Sequence, residues 1–178
     1  MRSKPLPPRN FFRDLLTFFE PGVAAPDFPV IFVCASMDER AKEYCGCLYY
    51  SAGALARMTS KIAEEEFKVT GLSSSHAMLL ISVNKHPGIQ PCDLSAQMLL
   101  EPSTITRLIE KLEQMDLVER QKDGKEVHIH ATKQGKAKLA SLQKAWQSVN
   151  KRFTDVLGKQ GNQRLTGEIS AAMEKFSH

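Results

Sequence analysis

Several kinds of protein are excluded by what this sequence does not contain. No run of about eighteen uncharged apolar residues occurs, so no membrane-spanning helix is expected. Four cysteines (Cys34, Cys45, Cys47 and Cys92) are too few to staple 178 residues together, and a reducing, cytoplasmic setting follows as the simpler expectation. Glu20 and Asp27 interrupt any apolar core before Val30, which makes a secretory signal a poor match. Gly135, Gly158, Gly161 and Gly167 match no phosphate-cradling loop, and no nucleophile–base or metal-ligand constellation stands out. The chain therefore reads as a non-enzyme that needs no cofactor. Proline is scarce outside the first 36 residues, which hold six of the nine. Residues 131–152 hold six basic side chains and no acidic one. The net charge of +4 permits a nucleic-acid partner without demanding one.

Residues 1–36 show no periodicity that ties them to the rest, apart from one short amphipathic stretch from Asn10 to Phe19 and an apolar run from Val30 to Val33. They are expected to form a disordered or loosely docked arm, with Met37 as an alternative start. The remainder, 37–178, reads as one domain. A helix is predicted from Asp38 to about Lys68, with Ala41, Tyr44, Leu48, Ala52, Leu55, Thr59 and Ile62 as its apolar stripe. A second helix follows the serines at 73–75, with Ala77, Met78, Leu79, Leu80, Ile81 and Val83 inward, and stops at His86-Pro87-Gly88. Thr132 is expected to cap a long helix carrying Leu139, Leu142, Trp146, Val149, Phe153 and Val156, with Trp146 in the core. Gly158 and Gly161 would break it, and a last helix would run from Arg164 to Phe176. No internal repeat is present.

Between these helices, Pro91 to His130 reads as a short helix, a tight turn, a longer helix and a hairpin. Ile105, Leu108, Ile109, Leu112 and Met115 recur at spacings of three and four, which gives the longer helix one apolar face. Pro102 suits its first position, with Glu101 at the N-cap. Asp123-Gly124 signals the hairpin turn. A helix-turn-helix followed at once by a hairpin is a winged helix. The expected fold is therefore mainly α with a small β-wing, a winged helix-turn-helix domain flanked by long dimerisation helices, with its DNA-binding unit at about 72–131. Ser103, Thr104, Thr106 and Arg107 occupy the face opposite the apolar stripe, where small hydroxyls and a guanidinium suit phosphate and base-edge contacts. Residues 91–130 carry eight acidic side chains against five basic ones, net −3. DNA binding must then depend on where Arg107, Lys111, Lys122 and Lys125 point, and on the basic helix that follows.

The order of elements resembles the MarR family of winged-helix transcriptional regulators. The motifs that carry the resemblance are Leu72-Ser-x-x-His76, Pro102-Ser-Thr-Ile-Thr-Arg107-Leu-Ile-x-Lys-Leu-Glu, Leu117-Val-Glu-Arg120 and Ala131-Thr-x-x-Gly135-Lys. It covers about residues 38–176. It implies a homodimer held by the first and last helices, with recognition helices in successive major grooves of double-stranded DNA and wings near the minor groove. It also implies a pocket, lined by the helices at 38–68 and 73–86, for a small amphipathic or phenolic effector of a repressor. The wing departs from the family pattern, because its loop is short and Lys125 stands where an arginine is usual. Lysine is a point charge and cannot make the bidentate fork. Met115-Asp116 likewise replaces a glycine-containing turn.

Cys45 followed four residues later by Tyr49 resembles the peroxide-sensing branch of the family and makes these two a candidate redox sensor. Two buried residues in a helix interface are the other reading. Cys45 and Cys47 would point about 200° apart on a helix and could not bond to each other without unwinding it. His128 and His130 share a strand face, but no further ligand lies near them in sequence, so no metal site is assigned. A winged helix that serves only protein interaction, without sequence-specific DNA binding, is the alternative function.

Overall fold

The computed structural model describes residue 44 and residues 46–176. The proline-rich arm, the expected helix start at Asp38 and the thiol Cys45 lie outside the described residues. The chain divides into two units, one ending at Ser51 and one beginning at Ala52. In the first unit, the rings of Tyr44 and Tyr50 lie 5.4 Å apart.

The first described helix, α1, spans Leu48–Phe67. Its start corrects the expectation that Gly46 and Cys47 are helical. Gly46 sits in a turn, and the Cys47 N–H donates to the Tyr44 carbonyl at 2.9 Å. Glycine costs about 1 kcal/mol in a helix interior, so Gly46 is a natural place for the helix to begin late. Phe67 is the one fully buried residue of α1, and the 3₁₀ turn Lys68–Thr70 follows it. Lys138 caps that turn by donating from Nζ to the Thr70 carbonyl at 2.9 Å.

Helix α2 spans Ser74–Lys85. Ser73 caps it by accepting the His76 N–H, and a Glu64 carboxylate oxygen accepts the Ser74 N–H at 3.0 Å. Ala77, Leu79, Leu80 and Val83 are buried, whereas Met78 is exposed and Ile81 half-buried. The six inward residues of the sequence reading thus reduce to four, because consecutive apolar residues cannot all share one helical face. Helices α3 (Pro91–Met98) and α4 (Pro102–Gln114) form the helix-turn-helix, with Leu99 in the turn at φ +52°.

Strands β1 (Val118–Asp123) and β2 (Glu126–Ala131) form the antiparallel wing, with Val118 opposite Ala131 and Asp123 opposite Glu126. Ile89 adds a bridge to the outer edge of β2 at Ile129. Helix α5 (Lys133–Leu157) starts at the Thr132 cap. It ends at Gly158, which adopts φ +71°. Gly161 does not break the chain but lies inside α6, Lys159–Phe176. One glycine in the left-handed region is enough to end a helix, and the second has no such role.

Leu79, Leu80, Leu94, Ile105, Leu112, Leu117, Ile129 and Leu142 are at most 1% exposed and come from α2, α3, α4, the α4–β1 turn, β2 and α5. A close approach seals this core, since a Cβ on Gly135 would lie 2.0 Å from the Leu117 carbonyl oxygen. Thr132 locks the same corner. Its hydroxyl accepts the Gly135 N–H at 3.1 Å and donates to the Asp116 carbonyl at 2.7 Å. Asp116 stands at φ +55°, and Gln134 holds its carboxylate at 2.8 Å. That clamp lets an aspartate take a turn position that glycine would fill more cheaply. No residue of α6 is buried.

Candidate nucleic-acid interface

Helix α4 presents two chemically distinct faces. Ile105, Ile109 and Leu112 are buried, with Leu108 and Met115 packed half-buried beside them. Ser103, Thr104, Thr106, Arg107 and Lys111 are all exposed on the other side. Pro102 occupies the first turn, and Glu101, at the N-cap, makes no side-chain cap bond. Pro102 has no N–H, and the Thr104 and Ile105 N–H groups donate to the Glu101 carbonyl at 2.9 Å and 3.1 Å, so Ser103 carries the remaining N–H of the first turn at the positive end of the helix dipole. The Thr106 hydroxyl donates to the Pro102 carbonyl at 2.9 Å, so its proton is committed within the helix and its oxygen is left to accept.

The wing brings the remaining candidates to its tip and one face. The turn residues are Gly124 and Lys125, not Asp123 and Gly124, because Asp123 still pairs with Glu126. Gly124 takes φ +59° while Lys125 keeps a negative φ, an arrangement that requires glycine at the first turn position only. Lys125 is thereby displayed at the tip. Lys122 shares a face with Arg120, opposite Val127 and Ile129. Arg120 is drawn back by an ion pair with Glu113 of α4 at 3.3 Å, which leaves Lys122 and Lys125 as the outer cations of the wing. The opposite face carries Glu119, Gln121 and Asp123 against Glu126, His128 and His130. The period-two alternation held that grouping in the sequence, but the register was needed to reveal it.

On α5, Lys133, Lys136, Lys144 and Lys151 are exposed, while Leu142, Ala145 and Val149 are buried on the other side. Four of the six basic side chains of residues 131–152 thus form one solvent-facing stripe, while Lys138 turns inward to the Thr70 carbonyl. Arg152 does not join it, because its guanidinium pairs with Glu65 at 2.7 Å and Glu66 at 3.1 Å on α1. That pairing holds the Glu65 carboxyl below the usual carboxylate range.

An open cavity of about 530 Å³ lies between α2, α3 and α5. Met78, Ile81, Met98 and Trp146 supply its apolar wall, and Ser82, Lys85, Gln97, Gln143 and Gln147 its polar rim. It draws on α2 as expected, but on α3 and α5 instead of the first helix. Trp146 is correspondingly not a core residue. It is 42% exposed, with one side tilted against Phe67 at 6.3 Å and the other open to the cavity.

Two histidines are tied into the scaffold. His76 Nδ1 lies 2.7 Å from the Ser73 hydroxyl, and burial, reinforced by the Lys111 cation, lowers its pKa below the ordinary value. His128 meets the Gly88 carbonyl and the Glu126 carboxylate. Of the candidate redox pair, Tyr49 is 88% exposed at the start of α1, while Cys45 falls outside the described residues.

Residues 72–126 match the profile of the MarR family. The fold matches solved structures over most of their length. The transcriptional regulator SlyA is 24% identical, with a TM-score of 0.64, covering 74% of this chain and 94% of that one. MepR of S. aureus, in a complex with DNA, is 14% identical with a TM-score of 0.65, covering 72% and 97%. CouR of Rhodococcus jostii RHA1, bound to p-coumaroyl-CoA, is 18% identical with a TM-score of 0.61, covering 69% and 88%. No curated protein matches.

Proposed function

With residues 72–126 a MarR-family segment inside a winged-helix fold, we propose that this chain is a sequence-specific double-stranded DNA-binding transcriptional regulator that acts as a homodimer. The observation that carries this reading is the outer face of α4. Ser103, Thr104, Thr106, Arg107 and Lys111 stand exposed on a helix whose other side is anchored by Ile105, Ile109 and Leu112. A helix anchored in this way is of a size to enter a major groove. Lys122 and Lys125 add phosphate contacts from the wing. The structure of MepR with DNA supports the assignment. A mobility-shift titration against the DNA upstream of the protein's own coding sequence tests it. A retarded complex that survives competition by scrambled duplex is expected, and its absence would favour the protein-interaction reading, which the acidic excess of residues 91–130 also fits.

The regulator is further read as a ligand-responsive repressor. The cavity beside Trp146 combines an apolar wall with amides and the Lys85 cation, which suits a small amphipathic or phenolic effector. CouR with its bound p-coumaroyl-CoA offers a parallel. A ligand that favours a dimer with mismatched recognition helices would release DNA by shifting populations. Trp146 is the sole tryptophan, so its fluorescence should change on ligand titration. Control through the Cys45 thiol, with Tyr49 as neighbour, is the other route. It predicts that peroxide weakens DNA binding by wild type and leaves Cys45→Ser unaffected.

A further inference from the structure

Donors and acceptors are unevenly shared over the outer face of α4. Thr106 Oγ1 donates its one proton to the Pro102 carbonyl oxygen at 2.9 Å, one turn back on the same helix. A hydroxyl has a single O–H and two lone pairs, so Thr106 shows only an acceptor to whatever approaches. The two hydroxyls before it differ. No hydrogen bond among the described residues holds the Ser103 or Thr104 hydroxyl, and each keeps a proton to give. Arg107, the next residue along, carries donors alone.

DNA answers these groups selectively. An ionised phosphate oxygen only accepts, so it can bond Ser103, Thr104 or Arg107 but not a Thr106 whose proton is committed. On the major-groove base edges, guanine N7 and O6, adenine N7 and thymine O4 also only accept. The donors that remain are the exocyclic amino groups, N4 of cytosine and N6 of adenine. Their place across the groove differs among the four base pairs, so an acceptor fixed on a rigid helix discriminates between them. Thr106 stands one turn beyond Pro102, in the N-terminal half of α4, the part of a recognition helix that reaches base edges. Buried Ile105 and Ile109 fix the rotation of the helix that leaves it outward.

We propose that Thr106 is a specificity-determining residue that accepts a hydrogen bond from the exocyclic amino group of a cytosine or adenine and makes no phosphate contact. This rests on the DNA-binding reading above.

Selection from a random duplex library with wild type, Thr106→Val and Thr106→Ser tests it. Valine keeps the β-branched shape and removes the acceptor, and serine restores the acceptor. Wild type and Thr106→Ser should share a preference at one position of each half-site that Thr106→Val lacks. On the selected duplex Thr106→Val should bind roughly three- to tenfold more weakly than wild type, the size of one hydrogen bond. Atom-level substitution at that base pair then names the partner. A base analogue without the amino group should abolish the advantage of wild type over Thr106→Val, and a 7-deaza purine, which lacks N7, should preserve it. A second arm needs no DNA: three-bond couplings to Thr106 Cγ2 in the free protein should report the single χ1 rotamer that sets Oγ1 against the Pro102 carbonyl. If wild type enriches no duplex at all, the DNA reading fails and takes the proposal with it. If wild type and Thr106→Val enrich the same sequence equally, the DNA reading stands and the proposal alone falls. An averaged rotamer, an advantage lost with the 7-deaza purine but kept without the amino group, or an equal loss on every duplex, as a phosphate contact gives, would also overturn it.

Discussion

At the scale of single residues, the fold depends on a few contacts that admit no substitute. Gly135→Ala would place a methyl 2.0 Å from the Leu117 carbonyl oxygen, against backbone that cannot swing aside. We expect a loss of about 3 kcal/mol, the upper end for overpacking, read as a lowered urea midpoint. The glycine was visible in the Ala131-Thr-x-x-Gly135 motif, but its reason was not, because Leu117 lies eighteen positions away and only the closed corner brings the two together. His76 should leave its mark on the pH dependence of stability. Its folded pKa lies below the ordinary value, so the unfolded chain takes up the proton more readily. Stability is then full above about pH 6.5 and falls as pH drops through the folded pKa. Thermal melts of His76→Gln should show a flatter profile below pH 6.5 than wild type, and parallel profiles would show that this histidine carries none of the acid sensitivity.

At the scale of elements, the strongly periodic segments were legible and their ends were not. The apolar stripe of α4 and the caps Ser73 and Thr132 were readable because each follows from a local rule. The wing turn was misplaced by one residue, since Asp-Gly and Gly-Lys are both acceptable turn pairs and only the β1–β2 register decides between them. Trp146 was misassigned because helical spacing identifies a face without saying whether that face is covered, and here a cavity lies beside it. The wing gives a quantitative prediction. Lys125→Ala should weaken binding to all duplex sequences about equally and reduce the salt slope by about one unit. A loss confined to the specific site would mean that Lys125 reads a base.

At the scale of the whole molecule, the apolar residues left exposed on the last helices lead us to predict a partner. Helix α6 buries nothing, and Val156, Leu157, Ile169 and Phe176 are exposed along the end of α5 and α6. A second copy is the natural cover for such a face, and light scattering at micromolar concentration should return the mass of a dimer. A monomer would leave the two recognition helices without a fixed spacing. Dimer or not, the central claim is that the outer face of α4 reads DNA, and Arg107 is its most direct probe. Arg107 is exposed and turned away from Ile105 and Leu112, so Arg107→Ala should leave the fold intact. The decisive measurement is a binding titration of wild type and Arg107→Ala with specific and scrambled duplexes at several salt concentrations. We predict a loss of about 1–3 kcal/mol on the specific duplex, with much less change on the scrambled one. Unchanged specific binding by a folded Arg107→Ala protein would contradict the assignment of α4 to the groove.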